Sequence, residues 1–112
     1  MDYDPRIIPG PASAHGAMSI ERLLPEPSRD REAPFTATRF TLPPQGTSAL
    51  DHHDERELWV VLSGEGTLSV NGKALSLGPG DAVYFPPRYS HQLRNDSAQP
   101  LVVLSVYWRD GG

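Results

Sequence analysis

The chain has no cysteine. That excludes disulfides, thiolate metal sites and a cysteine nucleophile, and it gives no support for secretion. Long apolar runs are missing as well, since no stretch approaches the roughly 18 residues a membrane-spanning helix needs. Basic residues are scarce: ten Lys and Arg stand against fourteen Asp and Glu, giving a net charge of −4. They form no run, which argues against a nucleic-acid-binding patch. The opening stretch MDYDPRIIPGPASAHG has neither a basic start nor an apolar segment, so no signal peptide is expected. These absences predict a soluble, cytoplasmic protein without a membrane or nucleic-acid partner. Helical periodicity is also lacking, because no long segment repeats its apolar residues about every 3.6 positions.

What the chain has in quantity is turn formers, ten glycines and twelve prolines in 112 residues. They are spread without period, which fits a chain that reverses often rather than a collagenous or low-complexity one. The length suits one domain. Residues 1–34 read as a polar N-terminal extension and residues 35–112 as the folded domain. Within the extension, MSIERLL (18–24) fits a short strand or a helical turn. From Phe35 onward the texture is that of strands. FTATRFTL (35–42) stops at Pro43-Pro44, and ELWVVL (57–62) stops at Ser63-Gly64. GTLSV (66–70) and KALSL (73–77) flank Asn71-Gly72, the strongest short hairpin signal. AVYF (82–85), Tyr89 to Leu93 and LVVLSVYW (101–108) complete about seven short strands. Their spacing predicts an all-β sandwich or barrel with antiparallel connections. The last strand is apolar on both parities, as expected of one covered on both faces or by a partner subunit.

Of four histidines, His15 stands alone in the polar extension and reads as a solvated loop residue. The others lie at strand ends among acids. In DHHDERELW (51–59), Asp51, His53 and Glu57 share one strand parity and so one face, with Trp59 continuing the row. His91 comes from another strand. Imidazole and carboxylate suit iron, manganese, zinc or nickel, and two histidines with one carboxylate make a facial set with open positions. By composition alone, HHDERE reads equally as an exposed charged turn.

From Gly46 to Asn95 the chain resembles the cupin superfamily. The second cupin motif, G-x5-P-x-G-x2-H-x3-N, is met by Gly80, DAVYF, Pro86, Pro87, Arg88, Tyr89-Ser90, His91, QLR and Asn95, with Arg88 standing where the family has glycine. In the first motif, G-x5-H-x-H-x3,4-E-x6-G, Glu57 and Gly64 have the family spacing. Counting back from Glu57 puts His53 at the second histidine position and Asp51 at the first. Counting forward from Gly46 puts His52 at the first instead. Strand parity favours Asp51, whereas His52 would need a bulge.

The resemblance implies a cupin double-stranded β-helix, a jelly-roll barrel, with one divalent metal ion held by Asp51, His53, Glu57 and His91. It implies a metal-dependent enzyme acting on a small organic molecule, of dioxygenase, isomerase, lyase or cyclase type, with Glu57 moving a proton. The alternative is a non-catalytic small-molecule-binding, sensing or accessory domain. Arg39, Trp59, Tyr89 and Leu93 are the expected substrate-pocket residues, Arg39 through an anionic substrate group. Cupins of this size pair through strands, so a homodimer is expected.

Overall fold

The computed structural model describes residues 5–24, 33–49 and 53–109. Among the described residues nine strands follow one another without a helix: β1 (Ser13–His15), β2 (Met18–Leu24), β3 (Thr36–Leu42), β4 (Arg56–Ser63), β5 (Gly66–Val70), β6 (Lys73–Leu77), β7 (Ala82–Phe85), β8 (His91–Arg94) and β9 (Leu101–Trp108). Among the described residues no helix is long and apolar enough to cross a membrane. Every strand pairing is antiparallel. A six-stranded sheet runs β1-β2-β3-β9-β4-β7, and a three-stranded sheet runs β6-β5-β8. This is the all-β architecture that the turn spacing predicts, in the jelly-roll form that the resemblance implies.

The turns explain why strands of this length form. Asn71 and Gly72 both take positive φ, 45° and 83°, which is the requirement of the two-residue turn that joins β5 to β6. Val70 and Lys73 therefore face each other across the hairpin. Alternation then sorts the side chains. In β4, Glu57, Trp59 and Val61 point inward and are buried while their neighbours are half-buried. In β9 the inward row is Leu101, Val103 and Ser105.

The core lies between the sheets. Phe40, Leu42, Trp59, Val61, Leu101 and Val103 from the large sheet meet Leu68, Leu77 and Leu93 from the small one, with Phe85 at the edge. Each such side chain contributes about 1.5–3 kcal/mol by leaving water. One polar residue is built into this core. Asn95, fully buried, donates from Nδ2 to the Leu42 and Gln99 carbonyls at 3.0 and 2.8 Å and accepts from Ser97 N at 3.0 Å. It ties the end of β3 to the loop before β9, so the motif asparagine serves the scaffold.

Of the two alternatives for MSIERLL the strand is the one formed, and part of segment 1–34 extends the large sheet: β2 pairs with β3, and β1 adds the edge. Two sequence expectations change at this level. His15 is in β1 rather than a loop. The eighth strand starts at His91, leaving Tyr89 in the preceding turn.

Candidate metal centre

Glu57 is placed by strand geometry, being the first inward residue of β4. Its Oε2 accepts from Trp59 Nε1 at 2.6 Å and from Ser105 Oγ at 2.5 Å. Those two donors turn the carboxylate so that Oε1 faces the cavity. There it lies 3.0 Å from His53 Nε2 and 3.2 Å from His91 Nε2. Burial pushes the Glu57 carboxyl up. Hydrogen bonds with His91, Ser105 and Trp59, together with attraction to His91, outweigh that and hold it below the usual carboxylate range.

Both histidines are oriented from behind. His91 Nδ1 donates to the Tyr89 carbonyl at 2.8 Å, and His53 Nδ1 to the Glu55 carbonyl at 3.2 Å. A carbonyl can only accept, so in each ring Nδ1 carries a proton and Nε2 is the atom left to bind a cation. His91 is buried and stacks on Phe85 with ring centroids 4.1 Å apart. His53 is held by its backbone, whose carbonyl accepts from Arg88 N at 2.7 Å. Arg88 adopts φ of 67° to present that N–H. The arginine in the glycine position of the motif thus takes the left-handed conformation, at about 1–2 kcal/mol. Its Nε also donates to Asp54.

The ligand atoms of His53, Glu57 and His91 all lie within 4.8 Å of one another. Two imidazole nitrogens and a carboxylate oxygen, converging with their far sides already tied to the protein, are a donor set that fits one divalent ion. His53 joins it for a different reason from the one its spacing offers. The strand begins only at Arg56, so His53 reaches the site from a bend and not by β parity. The expected fourth ligand, Asp51 or its rival His52, lies outside the described residues.

His53 and Glu57 line a cavity of about 430 Å³, within the range of small-molecule sites, and buried His91 lies behind them. Trp59 lines it, and Phe40, Thr38 and Ser48 share its wall. The remaining expected pocket residues stand elsewhere. Arg39 has the parity opposite to Thr38 and Phe40, so it faces away from the cavity and donates to Glu21 at 3.0 Å. Tyr89 is 44% exposed in its turn and contributes only its carbonyl, to His91. Leu93 points inward but packs in the core opposite Leu68.

The structure also brings in residues that the sequence reading missed. Ser105 holds the ligand carboxylate, and Ser13, His15 and Arg22 from the N-terminal strands line the cavity. Ser105 carried a signal, as the lone polar residue in an apolar strand.

Comparison with known proteins agrees with this geometry. A model for the cupin domain, Cupin_2, matches residues 38–107. The chain is 36% identical over 73 residues to a mannose-1-phosphate guanylyltransferase of Escherichia coli, covering 64% of this chain and 16% of that protein. It is 33% identical over 64 residues to a glucose-6-phosphate isomerase of Pyrococcus furiosus, covering 53% of this chain and 34% of that one. The chain therefore spans a minor part of these curated relatives. Among solved structures, a cupin 2 conserved barrel domain protein of Salinispora arenicola superposes with a TM-score of 0.78 at 24% identity, covering 98% of this chain and 90% of that one. With its family model spanning β3 to β9 and its jelly-roll fold in place, the chain belongs to the Cupin_2 family of cupin domains.

Proposed function

We propose that the protein binds one divalent metal ion through His53, Glu57 and His91 and is a metal-dependent enzyme acting on a small organic molecule. The observation that carries this reading is the convergence of three ligand atoms with both Nδ1 positions tied to carbonyls, two of the three residues lining a cavity. The bound ion would supply Lewis acidity and open positions for substrate oxygens. The chain's own residues do the rest. Glu57 is ionised at neutral pH and offers Oε1 as a ligand, while Trp59 and Ser105 keep Oε2 occupied. The rings of Trp59 and Phe40, 5.2 Å apart, close one wall against water. The reaction is of dioxygenase, isomerase, lyase or cyclase type, each of which a Lewis-acidic ion with open positions can serve. Both named relatives carry a sugar phosphate in their names, which favours a small polar substrate.

Protein purified without chelator is expected to carry close to one equivalent of iron, manganese, zinc or nickel by elemental analysis. A metal-free preparation that takes up none of the four on titration would refute the reading.

One observation favours a second reading. The aligned region is 16% of the guanylyltransferase, so there it is a small part of a larger protein. This supports a non-catalytic binding or accessory domain. Ligand binding without turnover in the metal-loaded protein would select it.

We further infer a homodimer. The outer face of β4 and β9 presents Leu58, Val60, Val102, Leu104 and Val106 half-buried, with Leu62 47% exposed beside them. A second copy would cover this stripe. Light scattering should give twice the chain mass, and a monomer at high concentration would count against it.

A further inference from the structure

The inward face of β2 carries Met18, Ile20 and Arg22. The first two pack against the core cluster, and the third is a cation. Strand register gives Arg22 its address. Trp59 in β4 lies opposite Ser105 in β9, Ser105 opposite Thr38 in β3, and Thr38 opposite Arg22. One cross-strand row therefore runs from the residue that holds Glu57 to Arg22, over three strand spacings. That is about 14 Å on a flat sheet and less on a curved one. All four residues line the same cavity, and His15 lines it from β1.

The charges on this strand are sorted by face. Glu21, on the outer parity, is paired with Arg39 at 3.0 Å. Arg22, on the inner parity, has no carboxylate partner among the described residues. The acids that line the cavity are committed elsewhere: Glu57 to the histidines, Glu55 to His53 and to Arg109 at 3.8 Å. With a divalent ion balancing Glu57, the cavity holds a cationic floor and a second, separate cation on its far wall.

We propose that Arg22 is an anion subsite that binds the tail of the substrate, a carboxylate or phosphate group remote from the reacting end. The substrate is thus a two-ended oxyanion: its oxygen-rich head lies at the triad and its charged tail meets the Arg22 guanidinium. A guanidinium matches both oxyanions through paired N–H donors. This deepens the metal-site reading and rests on it for the head group only.

The test uses matched probes on the full chain, with binding read by calorimetry. Malate is compared with 2-hydroxybutyrate, and glucose 6-phosphate with glucose; each pair shares a head and differs in tail charge. The wild type is expected to prefer the charged member of one pair by about tenfold or more. Preference for malate identifies a carboxylate tail, and preference for glucose 6-phosphate a phosphate. Arg22→Gln should remove that preference while leaving the uncharged partner's affinity and the metal affinity unchanged. Arg22→Lys should restore part of it. Arg22 is exposed, so folding is expected to survive, and a thermal melt checks it. No preference in either pair, or a preference that survives Arg22→Gln, overturns the proposal. Metal titration of the same samples separates the two readings: an Arg22-dependent preference in a protein that takes up no metal would sink the metal centre and keep the anion subsite.

Discussion

Replacing His53 and His91 together with alanine is expected to reduce metal content from near stoichiometric to background. Loss of a residue that merely orients a ligand costs about 10- to 100-fold in affinity. Removing two of the three ligands should therefore exceed about a thousandfold, since Glu57 Oε1 alone cannot hold an ion against water. His91 is buried and stacked on Phe85, so its removal also leaves a cavity that costs stability. The single variant His53→Ala controls for this. Its side chain is 30% exposed and its anchoring hydrogen bond to Arg88 is a backbone one, so the fold should persist while affinity falls. Elemental analysis and metal titration read both variants. Wild-type metal content in the double variant would show that the triad is not the site.

The largest effect on stability is expected from Gly64→Ala. Gly64 follows β4 at φ +87°, and a Cβ there would stand 2.8 Å from Leu101 Cα and closer still to the Pro100 carbonyl. Both obstacles are backbone at the entry of β9, so neither can rotate aside. The left-handed penalty of about 1–2 kcal/mol combines with overpacking of about 1–3 kcal/mol. Together they predict a melting temperature lower by about 10 °C or more. Gly72→Ala is the matched control, with a similar φ of +83° and nothing near its Cβ. It should lose only the conformational part. Equal losses in the two variants would mean that the contact with β9 is unimportant. The same contact explains why the first motif ends in glycine: the chain leaving β4 touches the start of β9, which carries Ser105 to the ligand carboxylate.

Most strand boundaries were legible because the turns are chemically explicit. β5, β6 and β7 have the bounds set by Asn71-Gly72, Gly78-Pro79-Gly80 and Pro86-Pro87, and β9 begins directly after Pro100. Glu57 and His91 were legible from motif spacing, and Trp59 from parity with Glu57. β2 was ambiguous for a physical reason. A register shift between Arg22 and Leu24 breaks its alternation, so Met18 and Ile20 point in while the next apolar pair, Leu23 and Leu24, no longer reads as the same strand. β1, three polar-flanked residues, has no pattern of its own and exists because β2 offers an edge. Arg39 went astray although the parity of Phe40 and Leu42 already places those two inward and Arg39 outward. His53 was assigned correctly to the cluster through a strand that does not extend that far. The bend that delivers it depends on a contact 35 residues away, Arg88 N to the His53 carbonyl, which no local pattern encodes.

The cavity has two walls from different stretches of the chain. Its floor lies within residues 38–107, the span shared with the cupin domain model, whereas β1 and β2 lie before that span. The two parts meet through the β2–β3 ladder, the Glu21–Arg39 pair and the packing of Met18 and Ile20 on the core. On the Arg22 proposal, rewriting positions 13, 15 and 22 of one hairpin would change the choice of anion while His53, Glu57, His91 and Ser105 stay untouched. The hairpin would then be an exchangeable cassette.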